Sequence, residues 1–362
     1  MVLFQRSNSL NNTLKKYLVP FVKVVLPLVL GFYLLWHFYT AMDAPTKEVF
    51  FRAVREADYF WIALSLIIGW ASHLVRAYRW KYLLEPMDLR PKFWHRYHAL
   101  MVGYLVNLII PRAGEATRAA LLYRTDKIPF SKSFGTIIGE RVFDLVMLGV
   151  IVLLALVMSF DDIITIKDLI AQPTEDGGSS FSWGLLILIV FGFGILTFAI
   201  LWFKVEKFRF KFKVFFHEVM TGVFSIFKSK NPFAFILYTL LMWTLYIVFF
   251  GICFFAFEET AQFPLGGVLI GFIAGTLGIM FTNGGIGAYP YLVGIVVTFY
   301  IGDFFDTREA AEGMGKALGM IIWSSQTLGM IILGLISLAL LPRNFKKEKD
   351  ESLGQTAIED RI

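Results

Sequence analysis

The sequence predicts an all-α polytopic membrane protein: six transmembrane helices plus two re-entrant, broken-helix hairpins arranged as an inverted repeat. Three observations carry this. Of 362 residues, 57% are hydrophobic and only 17% charged, where a soluble domain carries roughly 25% charged residues to cover its surface. The apolar residues fall in runs of about twenty, the length that crosses a bilayer. Finally, two of the apolar stretches are broken in their middles by proline or glycine, and a helix cannot continue unstrained through such a break.

Taken in order, the spans read as Val19 to Met42, Tyr59 to Val75, Phe134 to Phe160, Phe181 to Phe203, Phe233 to Phe257 and Ala317 to Leu341. The first, behind Arg6, Lys15 and Lys16, exceeds the roughly 7–15 residues of a signal-peptide core and is expected to be retained. Lys and Arg alternate between the loops. One side holds 26 of them and the other 6, with Lys23 and Arg141 inside spans. By the positive-inside rule both termini are cytoplasmic, in a multi-pass protein expected in a bacterial inner membrane. The net charge of +6 therefore faces lipid headgroups and cytoplasm, and nucleic acid is not an expected partner.

The broken stretches run from Tyr97 to Tyr123 and from Phe263 to Ile301. In the first, Tyr97 to Ile110 gives about 21 Å of helix, short of the ~30 Å hydrocarbon thickness. Asn107, Pro111, Gly114 and three charges then stand where the span should finish. The reading is a hairpin that enters from the cytoplasm and returns to it. The second stretch is free of charge from Thr260 to Gly302 and carries Asn283, Gly284, Gly285, Gly287, Tyr289 and Pro290 at its centre. A cytoplasmic loop there would be expected to hold Lys or Arg, so the hairpin opens outward; two full spans are the alternative. The order span, span, hairpin, span then occurs twice in opposite orientation, over pseudo-repeats 19–160 and 181–341 of one membrane domain. Such repeats recur in transporters, with broken helices meeting near the midplane.

Arg112, Glu115 and Arg118 follow the first break at spacing i, i+3, i+6, and Glu140, Arg141 and Asp144 lie roughly 14–20 Å along the next span. Unpaired charges at that depth cost at least ~2.5–3.5 kcal/mol each. They are expected to pair, with Arg112, Arg118 and Arg141 meeting a lipid head-group phosphate and Glu115, Glu140 and Asp144 as charge partners. Ion pairs that merely pin the hairpin to its neighbour are the plainer reading. No catalytic residues, metal ligands or cofactors are assigned. His95 and His98 lack further ligands at matching spacing, Cys253 is alone, and the glycine motif is too short for a nucleotide loop. Segment 204–230, with Lys207, Arg209, Lys211 and Lys213 between phenylalanines, reads as an interfacial amphipathic helix on anionic headgroups. Residues 342–362 form a charged cytoplasmic tail.

Arg76-Ala-Tyr-Arg79-Trp80, Asn107 through Pro111-Arg-Ala-Gly-Glu115 and Arg118, Gly139-Glu-Arg-Val-Phe-Asp144 and Asn283-Gly-Gly-Ile-Gly287 together resemble the lysylphosphatidylglycerol synthase transmembrane-region family over nearly the whole chain. The resemblance implies a flippase-like domain. Some members are fused to a cytosolic aminoacyltransferase and translocate the modified phospholipid; many stand alone. With about twenty residues after the last span, a stand-alone form without lysyl-lipid synthesis is expected, with a separate partner enzyme as an option. Tyr289-Pro290 departs from the acidic residue that many relatives place after the glycine motif. The function expected is translocation of an anionic phospholipid or polyprenyl-linked lipid through a midplane polar cavity. The alternatives are a membrane-embedded transferase with Glu140 or Asp144 as base, an envelope assembly protein, and a proton-coupled transporter of a small solute.

Overall fold

The computed structural model describes residues 42–162 and 231–341 continuously, with isolated positions outside them. The expected spans Val19–Met42 and Phe181–Phe203, the amphipathic segment 204–230 and the tail 342–362 lie outside the continuously described residues. The described residues are helical, with no strand among them. The helices are α1 (Ala44–Glu56), α2 (Tyr59–Arg79), α3 (Lys81–Leu84), α4 (Phe93–Ile109), α5 (Gly114–Asp126), α6 (Phe130–Met158), α7 (Pro232–Ile252), α8 (Leu265–Phe281), α9 (Ala288–Ile301) and α10 (Arg308–Leu340). Among the described residues, four stretches are long and apolar enough to cross a membrane: Tyr59–Met87, Phe130–Met158, Pro232–Ala256 and Arg308–Leu340.

Two of these outrun the lengths that hydropathy alone suggests. α2 continues past Val75 through Arg76 and Arg79, because both arginines are buried and paired with carboxylates on another helix. α10 begins nine residues ahead of Ala317. Thr307 caps it by accepting from the Ala310 N–H, and Glu312 pairs with Arg308 at 3.2 Å and with Lys316 at 2.9 Å. Such i, i+4 pairs let a polar first turn stay helical.

The loops gather at two ends. At one, the Asp58 N–H donates to the Ala256 carbonyl at 3.0 Å, Tyr300 donates to Asp162 at 2.6 Å, and the Thr46 hydroxyl donates to the Glu309 carbonyl at 3.3 Å. At the other, His95 Nδ1 lies 2.9 Å from both Asp126 oxygens, and His98 Nδ1 lies 3.0 Å from the Ser337 hydroxyl. The first end carries the segments poor in Lys and Arg, the second those rich in them.

α4 and α5 form one hairpin and α8 and α9 another. Each is drawn tight by a glycine. A Cβ on Gly114 would sit 2.2 Å from the Gly103 carbonyl oxygen, and one on Gly278 would sit 2.7 Å from the Tyr289 Cα. The first hairpin has its open end at the His95–Asp126 pair, and the second at Phe263 and Tyr300, whose ring centroids are 4.9 Å apart. Their tips meet. The Asn283 side-chain amide donates to the Leu108 carbonyl at 2.7 Å, and a Cβ on Gly284 would strike the Leu108 side chain.

α10 backs both hairpins. Its Gly315 and Gly319 lie against Gly294 and Pro290 of α9, and its Gly334 lies against Met101 and Leu105 of α4. α6 likewise touches α5 and α8, with Ile151 and Ala155 clustered with Leu269 and Ile270. Where lipid supplies no hydrophobic drive between helices, close backbone approach at small residues is what holds them together. Gly114→Ala and Gly278→Ala are therefore expected to lower the melting temperature in detergent. Gly329→Ala, whose methyl would meet only Leu66 at 3.4 Å, should leave it unchanged; scanning fluorimetry of the three variants checks this.

Candidate functional site

Three helices bring charge to one place, and a fourth adds neutral polar groups. Arg76 and Arg79 lie three residues apart at the end of α2, Glu115 and Arg118 three apart at the start of α5, and Glu140 and Asp144 four apart on α6. These spacings put each pair on one helix face. α7 adds Thr239 and Tyr246. The cluster sits just beyond the first hairpin's break, since Glu115 follows Gly114, whose N–H is held by the Asn107 side chain at 2.6 Å.

Glu140 is at its centre and is fully buried. Arg76 Nε donates to its Oε1 at 2.6 Å and Arg118 Nη2 to its Oε2 at 2.9 Å. Asp144 takes the other side of the same arginines: Arg76 Nη2 donates to Oδ2 at 2.8 Å and Arg79 Nη2 to Oδ1 at 2.9 Å. All four carboxylate oxygens are thereby engaged. Two further donors reach Thr239 Oγ1 at 3.1 Å from Arg79 and the Tyr246 hydroxyl at 3.3 Å from Arg76. Arg118 lies 4.2 Å from the centroid of the Trp80 ring, and Trp80 Nε1–H is held by Thr136 at 2.9 Å. A cation over an indole face gains from the ring quadrupole, most of all where water is excluded.

Three buried arginines thus face two buried carboxylates, leaving one positive charge unmatched inside the cluster. Arg79 Nε and Arg118 Nε are buried without a hydrogen-bond partner. Beside them is a second, more open pair. Arg141 Nη2 donates to Glu115 Oε1 at 3.1 Å, with side chains 39% and 25% exposed, while Glu115 Oε2 is buried without a partner. Arg141 also approaches Asp144 Oδ2 at 3.4 Å, an oxygen already taken by Arg76.

The six charges singled out from the sequence divide accordingly. Arg118, Glu140 and Asp144 are buried in the central network, and Arg141 and Glu115 form its accessible edge. Arg112 stands apart. It lies ahead of α5 in the break, exposed and left-handed at φ 60°, so it does not share the helix face of Glu115 and Arg118. The sequence reading does not place Arg76 and Arg79 at the site, because a span that ends at Val75 leaves them to the basic loop that follows. Their i, i+3 spacing directly before a tryptophan, continuous with an apolar run, was the available signal.

Among the break residues, Asn107 holds Gly114, and Pro111 occupies the turn between α4 and α5. Asn283 reaches the other hairpin, and Trp323 Nε1–H caps the Gly284 carbonyl at 2.9 Å. Gly284 and Gly287 have φ of 64° and 74°, a region open to glycine and costly for residues with a Cβ. Tyr289 is buried against α8, its hydroxyl 3.4 Å from Gln326. His95 and His98 belong to the contacts at the end rich in Lys and Arg described above.

Removing one partner from a buried ion network strands the others, at a cost of about 3–5 kcal/mol. Glu140→Gln should therefore lower thermal stability in detergent severely. Arg141→Ala, at the more exposed edge, strands only the partly buried Glu115 and should cost less, about 1–2 kcal/mol, and melting curves of the two variants separate the roles.

A family model described as the lysylphosphatidylglycerol synthase TM region matches residues 24–303. Curated relatives match over shorter stretches. A glycosyltransferase, AglD, of Haloferax volcanii is 32% identical over 117 residues, 31% of this chain and 19% of that protein. A UPF0104 membrane protein of Pyrococcus horikoshii is 27% identical over 146 residues, 39% of this chain and 40% of its own. Another, of Methanothermobacter thermautotrophicus, is 33% identical over 108 residues, 30% of this chain and 32% of its own. The chain thus spans at most 40% of the length of these three relatives. No solved structure matches it. With residues 24–303 of a 362-residue sequence matched, and apolar helices long enough to cross the bilayer, the chain is a multi-pass membrane protein that belongs to the lysylphosphatidylglycerol synthase TM region family.

Proposed function

We propose that this protein moves an anionic phospholipid or polyprenyl-linked lipid across the cytoplasmic membrane that holds it, by alternating exposure of the charged site between the two faces. The observation that carries this reading is the meeting of two opposed hairpin tips, Asn283 on Leu108, beside a cluster with unmatched positive charge. Non-helical backbone is tolerated at membrane depth only where protein buries it or water lines it, and tips that touch from opposite ends satisfy that condition.

The packing supports an inverted repeat. α2 pairs with α7, each the helix ahead of a hairpin in its half. α6 and α10 each follow a hairpin, and each runs from its own hairpin to the other one. In an inverted repeat a half-turn about an axis in the membrane plane would relate these pairs, and exchanging two equivalent packings of such halves would expose one site to either side. The segments rich in Lys and Arg mark the cytoplasmic end, with both termini there.

Phosphate is the chemistry that suits the site. A guanidinium remains charged when partly buried and offers paired donors to phosphate oxygens. Arg141 is the group positioned to do this, with Arg112 at the nearby tip, while Arg76, Arg79 and Arg118 are committed to Glu140 and Asp144. The family's name points to a lipid context. A separate lipid-modifying enzyme as partner, and anionic headgroups at the cytoplasmic face, fit the same reading.

Purified protein in liposomes with a fluorescent anionic phospholipid tests the proposal. Wild-type protein should accelerate exchange of the label between leaflets, and Arg141→Ala should reduce the rate at least about tenfold, one lost charge-assisted contact of ~1.5–3 kcal/mol. Wild-type liposomes no faster than protein-free ones, or an Arg141→Ala rate equal to wild type, would refute it.

A further inference from the structure

The Glu115–Arg141 pair differs from the other ion pairs of the cluster in a way that bears on how a ligand would bind. Every carboxylate oxygen of Glu140 and Asp144 has an arginine donor, whereas Glu115 has one oxygen on Arg141 and the other enclosed without any donor. Arg141 is also the one arginine of the network whose side chain is more than a third exposed. It is the arginine an incoming anion can reach, and Glu115 is the partner that anion would displace.

Displacement on its own is unfavourable. It would leave an ionised, three-quarters-buried carboxylate with neither oxygen paired, directly beside the negative charge that took its place. A carboxylate stripped of its partner in such surroundings takes up a proton instead. We infer that an anionic phosphodiester binds Arg141 by exchange with Glu115, and that Glu115 takes up one proton as it leaves. The proton comes from water and binds a carboxylate oxygen; Arg141 keeps its charge and changes only its counter-ion. This rests on the anionic-lipid reading above and adds a proton to it.

The charged and titratable groups around Glu115 are Arg141, Glu140 and Asp144 from α6, Arg118 on its own helix and Arg112 in the preceding break. From α2 and α7 come Arg76, Arg79, Tyr246 and His73, whose ring lies 5.1 Å from that of Tyr104 and whose Nδ1 is buried without a partner. α4 contributes Tyr104, 5.9 Å from Arg76, and at the far end His95, which is held by Asp126. Arg112 and the unpartnered Nε of Arg118 are the groups of this set that could receive the displaced carboxylate without a proton.

Calorimetric titration of the full-length protein in neutral detergent with short-chain phosphatidylglycerol, in buffers of different ionisation enthalpy, counts the protons directly. The phosphodiester does not titrate near neutrality, so any proton belongs to the protein. The expected result is uptake of about one proton per lipid bound near neutral pH, and an affinity that falls about tenfold per unit rise in pH. Glu115→Gln should bind more tightly than wild type at high pH, take up no proton and lose the pH slope. Dimethyl phosphate, with the same charge and no acyl chains, is the second arm. Proton uptake with it shows that the phosphodiester alone drives the exchange; uptake with the lipid alone assigns the exchange to lipid; both support it. Lipid binding by wild type without proton uptake overturns the inference while leaving the anionic-lipid reading intact, and Glu115 then keeps its charge against Arg112 or Arg118. A Glu115→Gln variant that keeps the slope overturns it too. A wild-type protein that binds neither probe removes both readings. The wild-type proton count decides even where the variant does not fold.

Discussion

Charge placed in a medium of low dielectric must find its counter-charge within the protein, and most of the architecture described above follows from that requirement at Glu140. The four oxygens of Glu140 and Asp144 organise three arginines from two other helices. α2 remains helical through Arg79 because those arginines have partners, and α5 is drawn against α6 because Arg118 does. An apolar core of equal volume would hold the same helices with less risk. The cluster therefore adds little cohesion that apolar side chains would not supply, and it carries a surplus of positive charge.

Cohesion is supplied by something else. Gly103 with Gly114, Gly278 with Tyr289, and Gly315, Gly319 and Gly334 of α10 bring backbones to distances that no other residue permits. Each hairpin is closed by such a contact, and α10 is fitted to both through glycines at either end of its length. Rigid hairpins on a shared helix leave the junction between the tips as the place where the halves are most thinly joined.

Much of this is legible in the sequence, for reasons that can be traced to particular residues. The apolar runs and the breaks at Pro111 and at Gly284 to Gly287 reveal elements because a bilayer punishes exposed backbone, so interruptions there cannot be incidental. The convergence of Glu115, Arg118, Glu140, Arg141 and Asp144 follows from the cost of isolated charge. What stays hidden is pairing across helices. Arg76 and Arg79 look like the basic end of a span, since nothing local announces carboxylates more than sixty residues on. The start of α10 is concealed in the same way, because hydropathy discounts residues that i, i+4 pairs keep helical. Arg112 illustrates the converse: its sequence spacing fits a helix face, but the break places it before the helix begins. The contact of Asn283 with Leu108 has no sequence signal, because a single amide finding a carbonyl 175 positions away leaves no period or motif.

That contact has a mechanical corollary. Among the described residues the two tips are tied by one amide–carbonyl bond and the abutment of Leu108 on Gly284, while each hairpin is locked internally at several points. Such a molecule is stiff in its parts and weak at their seam. A ligand acting at the seam would have this one bond to break, while α10 and α6, which pack on both hairpins, continue to hold them, much as a clasp opens while its hinge stays shut.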